Sequence, residues 1–310
     1  MSQSLLSTLT GRRLSVTLSV GLVFAALFLR CAVASTTKTT SKVADFSVQW
    51  QPARPVNGSP VIFHVTSPQP LKSLSGKWLD HEVFFSSDSK GQLWLGIAGV
   101  SLETRPGNYS LELKGTNLAG KEVLFQKRVA VGKGKYHSIA ASVPKKYTEP
   151  SAEQLHEIEQ DKTLKQHAFA QTTPDQAWKG SFEPPAKAPI SDVFGTARVF
   201  NGRVQSVHQG IDYAVPEGTA VAALNSGTVL LARPLFFEGN CVVLDHGQGL
   251  LTLYMHLSKI EVKEGEQVAR GAKIGLSGGT GRATGPHLHV AVRWQGIYLN
   301  PATLLTIKLP

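Results

Sequence analysis

Cysteine is almost missing from these 310 residues: there are two, Cys31 and Cys241. Cys31 falls in an N-terminal segment that reads as a removable leader, so a mature chain would keep Cys241 alone and form no intramolecular disulfide. Cys241 stands in the apolar run Cys241-Val242-Val243-Leu244. That run lacks the glycine-flanked, polar setting of a thiol nucleophile, so Cys241 reads as buried packing. Charge is sparse too, at 17% of residues, and 22 acids are outnumbered by 32 lysines and arginines, giving a net charge of +10. The lysines are dispersed, and no recognisable nucleic-acid module accompanies them, so no nucleic-acid partner is expected. Long-range attraction to an anionic cell envelope is the reading the charge supports. Long apolar runs are also lacking. Leu14 to Leu29 is too short and too poorly flanked for a membrane span. No helical period is evident after residue 182. The glycines of Gly278-Gly279-Thr280-Gly281 therefore precede no helix, which excludes a phosphate cradle.

Glycine and proline are plentiful, 29 and 17. They suit turn-rich β-domains rather than helical bundles, and the length leaves room for two domains. Residues 1–34 read as a signal peptide. Arg12 and Arg13 supply the positive start, Leu14 to Leu29 the apolar stretch, and Ala32-Val33-Ala34 a small-x-small cleavage site. Export to the periplasm or cell envelope with cleavage near Ala34 is expected; the alternative is an uncleaved anchor, the only membrane contact foreseen. Arg30 disfavours a lipid anchor on Cys31. Cleavage would remove Arg12, Arg13 and Arg30 and no acid, which takes the charge from +10 to +7. Residues 35–44 read as a flexible lead-in. Over 45–132, alternations such as Phe46/Val48/Trp50, Val61/Phe63/Val65 and Tyr109/Leu111/Leu113 predict about seven short strands, an immunoglobulin-like β-sandwich in outline. Residues 133–181 read as a linker with one helix. Ser151-Ala152-Glu153-Gln154 is a capping box that starts it, Leu155, Ile158 and Leu164 give it a narrow apolar stripe, and Pro174 ends it. Residues 182–310 read as antiparallel β. The fold class expected is thus mainly β.

The chemistry concentrates in the last third. His208-Gln209-Gly210-Ile211-Asp212 and His287-Leu288-His289 flank an isolated His256 in Tyr254-Met255-His256-Leu257. Read as strands, each group puts alternate side chains on one face: His208 with Asp212, His287 with His289, and Thr252 and Tyr254 with His256. Three such strands could aim their imidazoles and a carboxylate at one point. Catalytic zinc takes three ligands of the His and Asp/Glu type and leaves the fourth position to water, whose pKa falls to about 7. His208, Asp212 and His289 would supply the ligands. His256 and His287 would stay unligated but close, where imidazoles move protons. Gly210, between two ligands on their own face, would keep bulk away from the metal. The other five histidines outside this region (His64, His81, His137, His156 and His167) read as surface or satisfied core residues, and His246 as a turn residue.

These motifs resemble the lysostaphin/LytM-type zinc metallopeptidases, which cleave peptide bonds in bacterial peptidoglycan. The likeness runs over residues 182 to 302. It is carried by Ser191-Asp192-Val193-Phe194-Gly195, Phe200-Asn201-Gly202, Pro216-Glu217-Gly218-Thr219-Ala220-Val221, Ser226-Gly227-Thr228-Val229, Gly239-Asn240, Asp245-His246-Gly247 and Gly275-Leu276-Ser277-Gly278, besides the histidine motifs. The run Thr280-Gly281-Arg282-Ala283-Thr284-Gly285-Pro286-His287-Leu288-His289 is the most specific piece. The resemblance implies one Zn2+ per chain on His208, Asp212 and His289, with His256 and His287 as catalytic histidines. It implies an exported endopeptidase acting on peptidoglycan stem peptides or cross-links. Some members carry a Tyr shortly before the first ligand that helps the oxyanion; Phe200-Asn201-Gly202-Arg203-Val204 has none. The N-terminal β-domain resembles one that precedes the peptidase in some exported members, where it would position the enzyme, bind the wall, cover the cleft or act as a plain spacer. The alternative function is a catalytically silent regulator that activates a separate amidase, with a cell-envelope regulatory protein as partner. Relatives of that kind have lost zinc ligands, whereas all five positions are filled here.

Overall fold

A computed structural model of the chain describes residues 46–140, 150–171, 173–200 and 203–309. The expected signal peptide and lead-in lie outside the described residues. Among the described residues, no helix is long and apolar enough to cross a membrane.

Eight strands follow one another between residues 47 and 131: β1 (Ser47–Gln51), β2 (Pro60–Thr66), β3 (Leu71–Trp78), β4 (His81–Phe84), β5 (Ser86–Ser87), β6 (Leu93–Gly99), β7 (Gly107–Asn117) and β8 (Glu122–Val131). They form two four-stranded sheets, ordered β1-β2-β6-β5 and β4-β3-β7-β8. β7 shows the alternation expected of a half-buried strand, with Leu111 and Leu113 buried between exposed neighbours. β2 does not alternate. Ile62 is as buried as Val61 and Phe63, because α2 (below) packs against β2 and occupies the face that alternation assigns to solvent.

Next come β9 (Ser138–Ala140) and α1 (Ala152–Ala170). The capping box forms: Gln154 N–H donates to Ser151 Oγ at 3.3 Å, and Ser151 N–H to Gln154 Oε1 at 2.9 Å. Two expectations about this helix need correction. It stops at Ala170, short of Pro174. Its contact is made by Leu164, Ala168 and Phe169 near the C-terminal end, while Leu155 stays exposed. A sparse stripe buries only where a partner surface meets it.

The remaining elements are β10 (Ile190–Asp192), β11 (Ala197–Phe200), β12 (Arg203–Val207), β13 (Ile211–Tyr213), β14 (Ala220–Ala222), β15 (Gly227–Leu235), β16 (Gly239–Asp245), β17 (Leu250–Leu257), β18 (Lys259–Ile260), β19 (Gln267–Val268), β20 (Lys273–Leu276), β21 (Leu288–Trp294), β22 (Ile297–Leu299) and α2 (Pro301–Thr306). The main sheet runs β10-β13-β21-β17-β16-β15-β19, with β22 added to β21, and its pairings are antiparallel. β14-β20-β18 is a small side sheet, and β12-β11-β9 another, in which β9 runs parallel to β11. α2 corrects the expectation of no helix beyond residue 182. Six residues are too few to show a period, but Asn300 caps it, accepting from Ala302 N–H at 3.0 Å, and Pro301 sits in its first turn.

Both faces of the main sheet are covered. One carries Ile211, Val242, Leu244, Tyr254, Val290 and Val292 into the main core. The other carries Leu231, Cys241, Val243, Leu251, Leu253 and Ala291 under α1. Double burial explains why Cys241 to Leu244 reads as an unbroken apolar run. The N-terminal sheets dock at one end of this sheet through Gln248. Its Oε1 accepts from Ile97 N–H, its Nε2 donates to Ser86 Oγ and Leu95 O, and its carbonyl accepts from Trp294 Nε1–H. Trp294 pairs with Leu250, and Met255 with His289. The five-residue offset puts this docking end roughly 17 Å along the strands from the imidazoles.

Candidate active site

Register brings the expected metal ligands together. Asp212 on β13 lies opposite His289 on β21, which lies opposite Met255 on β17. Paired residues project to the same side, so Asp212 and His289 emerge on the face that α1 covers further along. His208 reaches them from the turn before β13. Its Nε2 is 3.1 Å from Asp212 Oδ1 and 3.0 Å from His289 Nδ1, and Asp212 Oδ1 is 2.7 Å from His289 Nδ1.

The donor set fits zinc. Tetrahedral ligands at ordinary zinc distances stand about 3.4 Å apart, so the three separations would open by about 0.3 to 0.7 Å to admit the ion. His208 Nδ1 lies 3.0 Å from the Val193 carbonyl. Donation there leaves the Nε2 lone pair directed at Asp212 and His289. Burial pushes the Asp212 carboxyl up, but hydrogen bonds and charge from His208 and His289 prevail and hold it well below the ordinary carboxylate range. Burial pushes His208 down, yet the hydrogen bond and charge of Asp212 leave it raised; for His289 burial wins and the net shift is downward. One buried anion facing two imidazole nitrogens at contact distance is an arrangement a divalent cation satisfies. Gly210 is required more tightly than its spacing alone suggests. A Cβ there would lie 2.4 Å from Val290 O and 2.5 Å from His289 Nε2, pressed against the imidazole of an expected ligand.

His256 and His287 stand beside this cluster, their ring centroids 4.8 Å apart. His287 Nε2 is 3.9 Å from Asp212 Oδ1. His256 Nδ1 lies 2.8 Å from Thr280 O and His287 Nδ1 2.8 Å from Gly285 O. Both rings therefore keep Nε2 for the cleft when neutral. Burial, then the neighbouring His287, pushes His256 down to about 4.

The structure corrects the expected face of β17. Thr252 and Tyr254 point into the main core, where His246 contacts Thr252 Oγ1, which donates to Tyr254 OH. Simple alternation would send His256 the same way. The pairing of β16 with β17 shifts register between Asn240 and Val242, and His256 adopts φ +63°. This bulge turns its imidazole to the metal side. His246 itself is fully buried, its Nδ1 2.7 Å from Ser226 O, away from the cluster. Cys241 is buried with its thiol pushed far up by burial, then by Glu238.

A cleft of about 580 Å³ opens over the cluster, with Ile139, Asp192, Arg198, Glu238, Arg282 and Tyr298 in its walls. Asp192 was not singled out from sequence as a site residue. Its Oδ2 is 3.3 Å from His208 Nδ1 and 3.2 Å from Arg198 Nη2, so it stands behind the first expected ligand. The only signal was its place in Ser191-Asp192-Val193-Phe194-Gly195.

A crystal structure assigned to peptidase M23 from Pseudomonas aeruginosa is 30% identical, covers 81% of this chain and 95% of its own, and superposes with a TM-score of 0.61. Residues 206–301 match Peptidase family M23. The chain belongs to that family. The metallopeptidase family expected from the motifs and the mainly-β class expected from the strand patterning are thereby borne out, as is the expected zinc cofactor; the His–Asp–His cluster is a group that could hold it. The peptidoglycan DD-endopeptidase ShyA of Vibrio cholerae is 42% identical over 147 residues, 47% of this chain and 31% of ShyA. The DD-carboxypeptidase/endopeptidase Mpg of Neisseria meningitidis is 41% identical over 128 residues, 41% of this chain and 30% of Mpg. The matched stretch spans about a third of these curated relatives.

Proposed function

We propose that this M23 metallopeptidase is an exported endopeptidase that hydrolyses peptide bonds in peptidoglycan stem peptides or cross-links. The observation that carries the reading is the convergence of His208 Nε2, Asp212 Oδ1 and His289 Nδ1 at separations of 3.1, 3.0 and 2.7 Å, with His256 and His287 beside them. The names of ShyA and Mpg support peptidoglycan as substrate, and a cell-wall substrate supports an envelope location. In this reading residues 1–34 are the cleaved signal, 35–44 a lead-in, 45–132 a β-sandwich domain, 133–181 the linker and 182–310 the peptidase domain.

His208, Asp212 and His289 would hold zinc. Bound there, zinc supplies Lewis acidity that polarises a scissile carbonyl and acidifies water. The chain's own part is proton handling. His256 and His287 each present Nε2 to the cleft; one takes the proton of the attacking water, and the other delivers a proton to the leaving amine. The rigid ties of both Nδ1 atoms to backbone carbonyls keep the rings oriented without reorganisation.

Digestion of purified sacculi by the protein lacking residues 1–34, with mass spectrometry of products, tests the reading. Uncross-linked or shortened stem peptides, absent with His208→Ala and after chelation, are expected and would name the bond. A folded, zinc-loaded protein that releases none would sink it in favour of the amidase-activating alternative.

A further inference from the structure

Helix α1 lies outside the residues that match the family, yet its polar side chains reach the wall of the cleft. We propose that Asp161 and Lys165 are positioning residues for His256, acting through the segment Phe236-Phe237-Glu238-Gly239. The inference rests on the reading of His256 as a catalytic histidine.

Leu164 and Ala168 seat the helix on the sheet. That seating places Asp161 and Lys165, four residues apart and so on one side of the helix, against the start of β16. Asp161 Oδ2 accepts from Phe236 N–H at 2.6 Å. Lys165 Nζ lies 2.5 Å from Glu238 Oε1, with the two side chains only 24% and 15% exposed. On the same helix Lys162–Glu159 is an ordinary surface pair, 58% and 66% exposed. A sequestered pair adds little net stability, because desolvation offsets its attraction; its best-attested use is to fix one arrangement over others.

The arrangement fixed here is that of His256. Glu238 O accepts from His256 N–H at 2.8 Å, and Phe237 O accepts from Arg282 N–H at 2.8 Å. The segment then meets the loop at 280–282 backbone to backbone. A Cβ on Gly239 would stand 2.3 Å from Thr280 Oγ1, and one on Gly281 would stand 2.2 Å from Gly239 N. Thr280 in turn holds the ring through its carbonyl. Both attachments of His256 therefore run to the clamped segment or to the loop pressed on it. His256 needs them, because φ +63° is a conformation that a non-glycine residue keeps only where its surroundings over-determine it. If the segment slips, relaxation at the bulge swings the imidazole away from the metal side.

The test uses the full chain loaded with zinc, in the variants Lys165→Met, Lys165→Arg and Lys162→Met. Histidine labelled with 15N reports the His256 ring, and steady-state kinetics on soluble cross-linked muropeptides report turnover. Lys165→Met is expected to shift or broaden the His256 resonances and lower kcat about 10- to 100-fold with KM nearly unchanged, while zinc content holds. Lys165→Arg, which can still pair with Glu238, restores both readouts, and Lys162→Met alters neither. Wild-type His256 resonances in a folded Lys165→Met protein would overturn the proposal. If that variant does not fold, Asp161→Asn decides the question by the same readouts. If wild type shows no hydrolysis, the endopeptidase reading falls, and the His256 resonances still judge the positioning role.

Discussion

Asp212 stands directly across the strand pair from His289, with Asp212 Oδ1 2.7 Å from His289 Nδ1. One register thus fixes two of the three proposed ligands. Asp212→Asn keeps the shape and removes the charge. Zinc affinity should fall by more than the roughly 10- to 100-fold cost of losing an outer-shell partner, and metal analysis after dialysis against a weak chelator measures it. Retention of one zinc per chain would remove Asp212 from the ligand set.

Asp192 tests that outer shell directly. It touches His208 Nδ1, and Arg198 touches it in turn. Asp192→Ala should weaken zinc binding or turnover about 10- to 100-fold with the circular dichroism spectrum unchanged. An effect below twofold would leave the Val193 carbonyl as the sole orienting partner.

Gly210→Ala should be worse than an alanine substitution normally is in a turn. The new methyl would press on His289 and on the Val290 carbonyl, and such overpacking costs about 1–3 kcal/mol. Denaturant titration should show the loss, and because a proposed ligand is itself displaced, added zinc should recover little of it.

Acid should destabilise the protein through His246. Burial, opposed only in part by Ser226 O, pushes its pKa down to about 4. The folded state therefore excludes a proton that the unfolded state binds below the ordinary value of 6.5. Stability is complete above that value and is lost as pH falls from 6.5 toward 4, by an amount approaching about 3 kcal/mol. In His246→Gln this component disappears, so the stability gap between wild type and variant should narrow on acidification. Parallel pH curves would contradict the assignment.

Much of the candidate site was legible because its proposed ligands fall in short motifs, although His208, expected on a strand with Asp212, stands in the turn before β13. His208, Asp212 and His289 meet as the pattern implies. His256 was legible as a candidate but not as a geometry: alternation placed it with Thr252 and Tyr254, and only a bulge, whose register shift leaves no trace in residue type, brings it to the metal side. The β strands of the N-terminal part were visible wherever one face meets water, as at Leu111 and Leu113. They were blurred at Ile62, where another element covers the second face. The contributions of Asp161, Lys165 and Glu238 were invisible, since a polar residue that reaches across the fold looks like any other on a solvated helix.

The covering of Leu231, Leu251, Leu253 and Ala291 by α1 has a practical consequence. A fragment cut at residue 182, the natural place to trim the chain to its family core, would bare that apolar face to solvent. Such a patch promotes self-association. Poor solubility of the trimmed fragment would then reflect a missing lid on the sheet rather than a fault in the catalytic residues, and a chain that keeps α1 together with the N-terminal sheets should stay soluble.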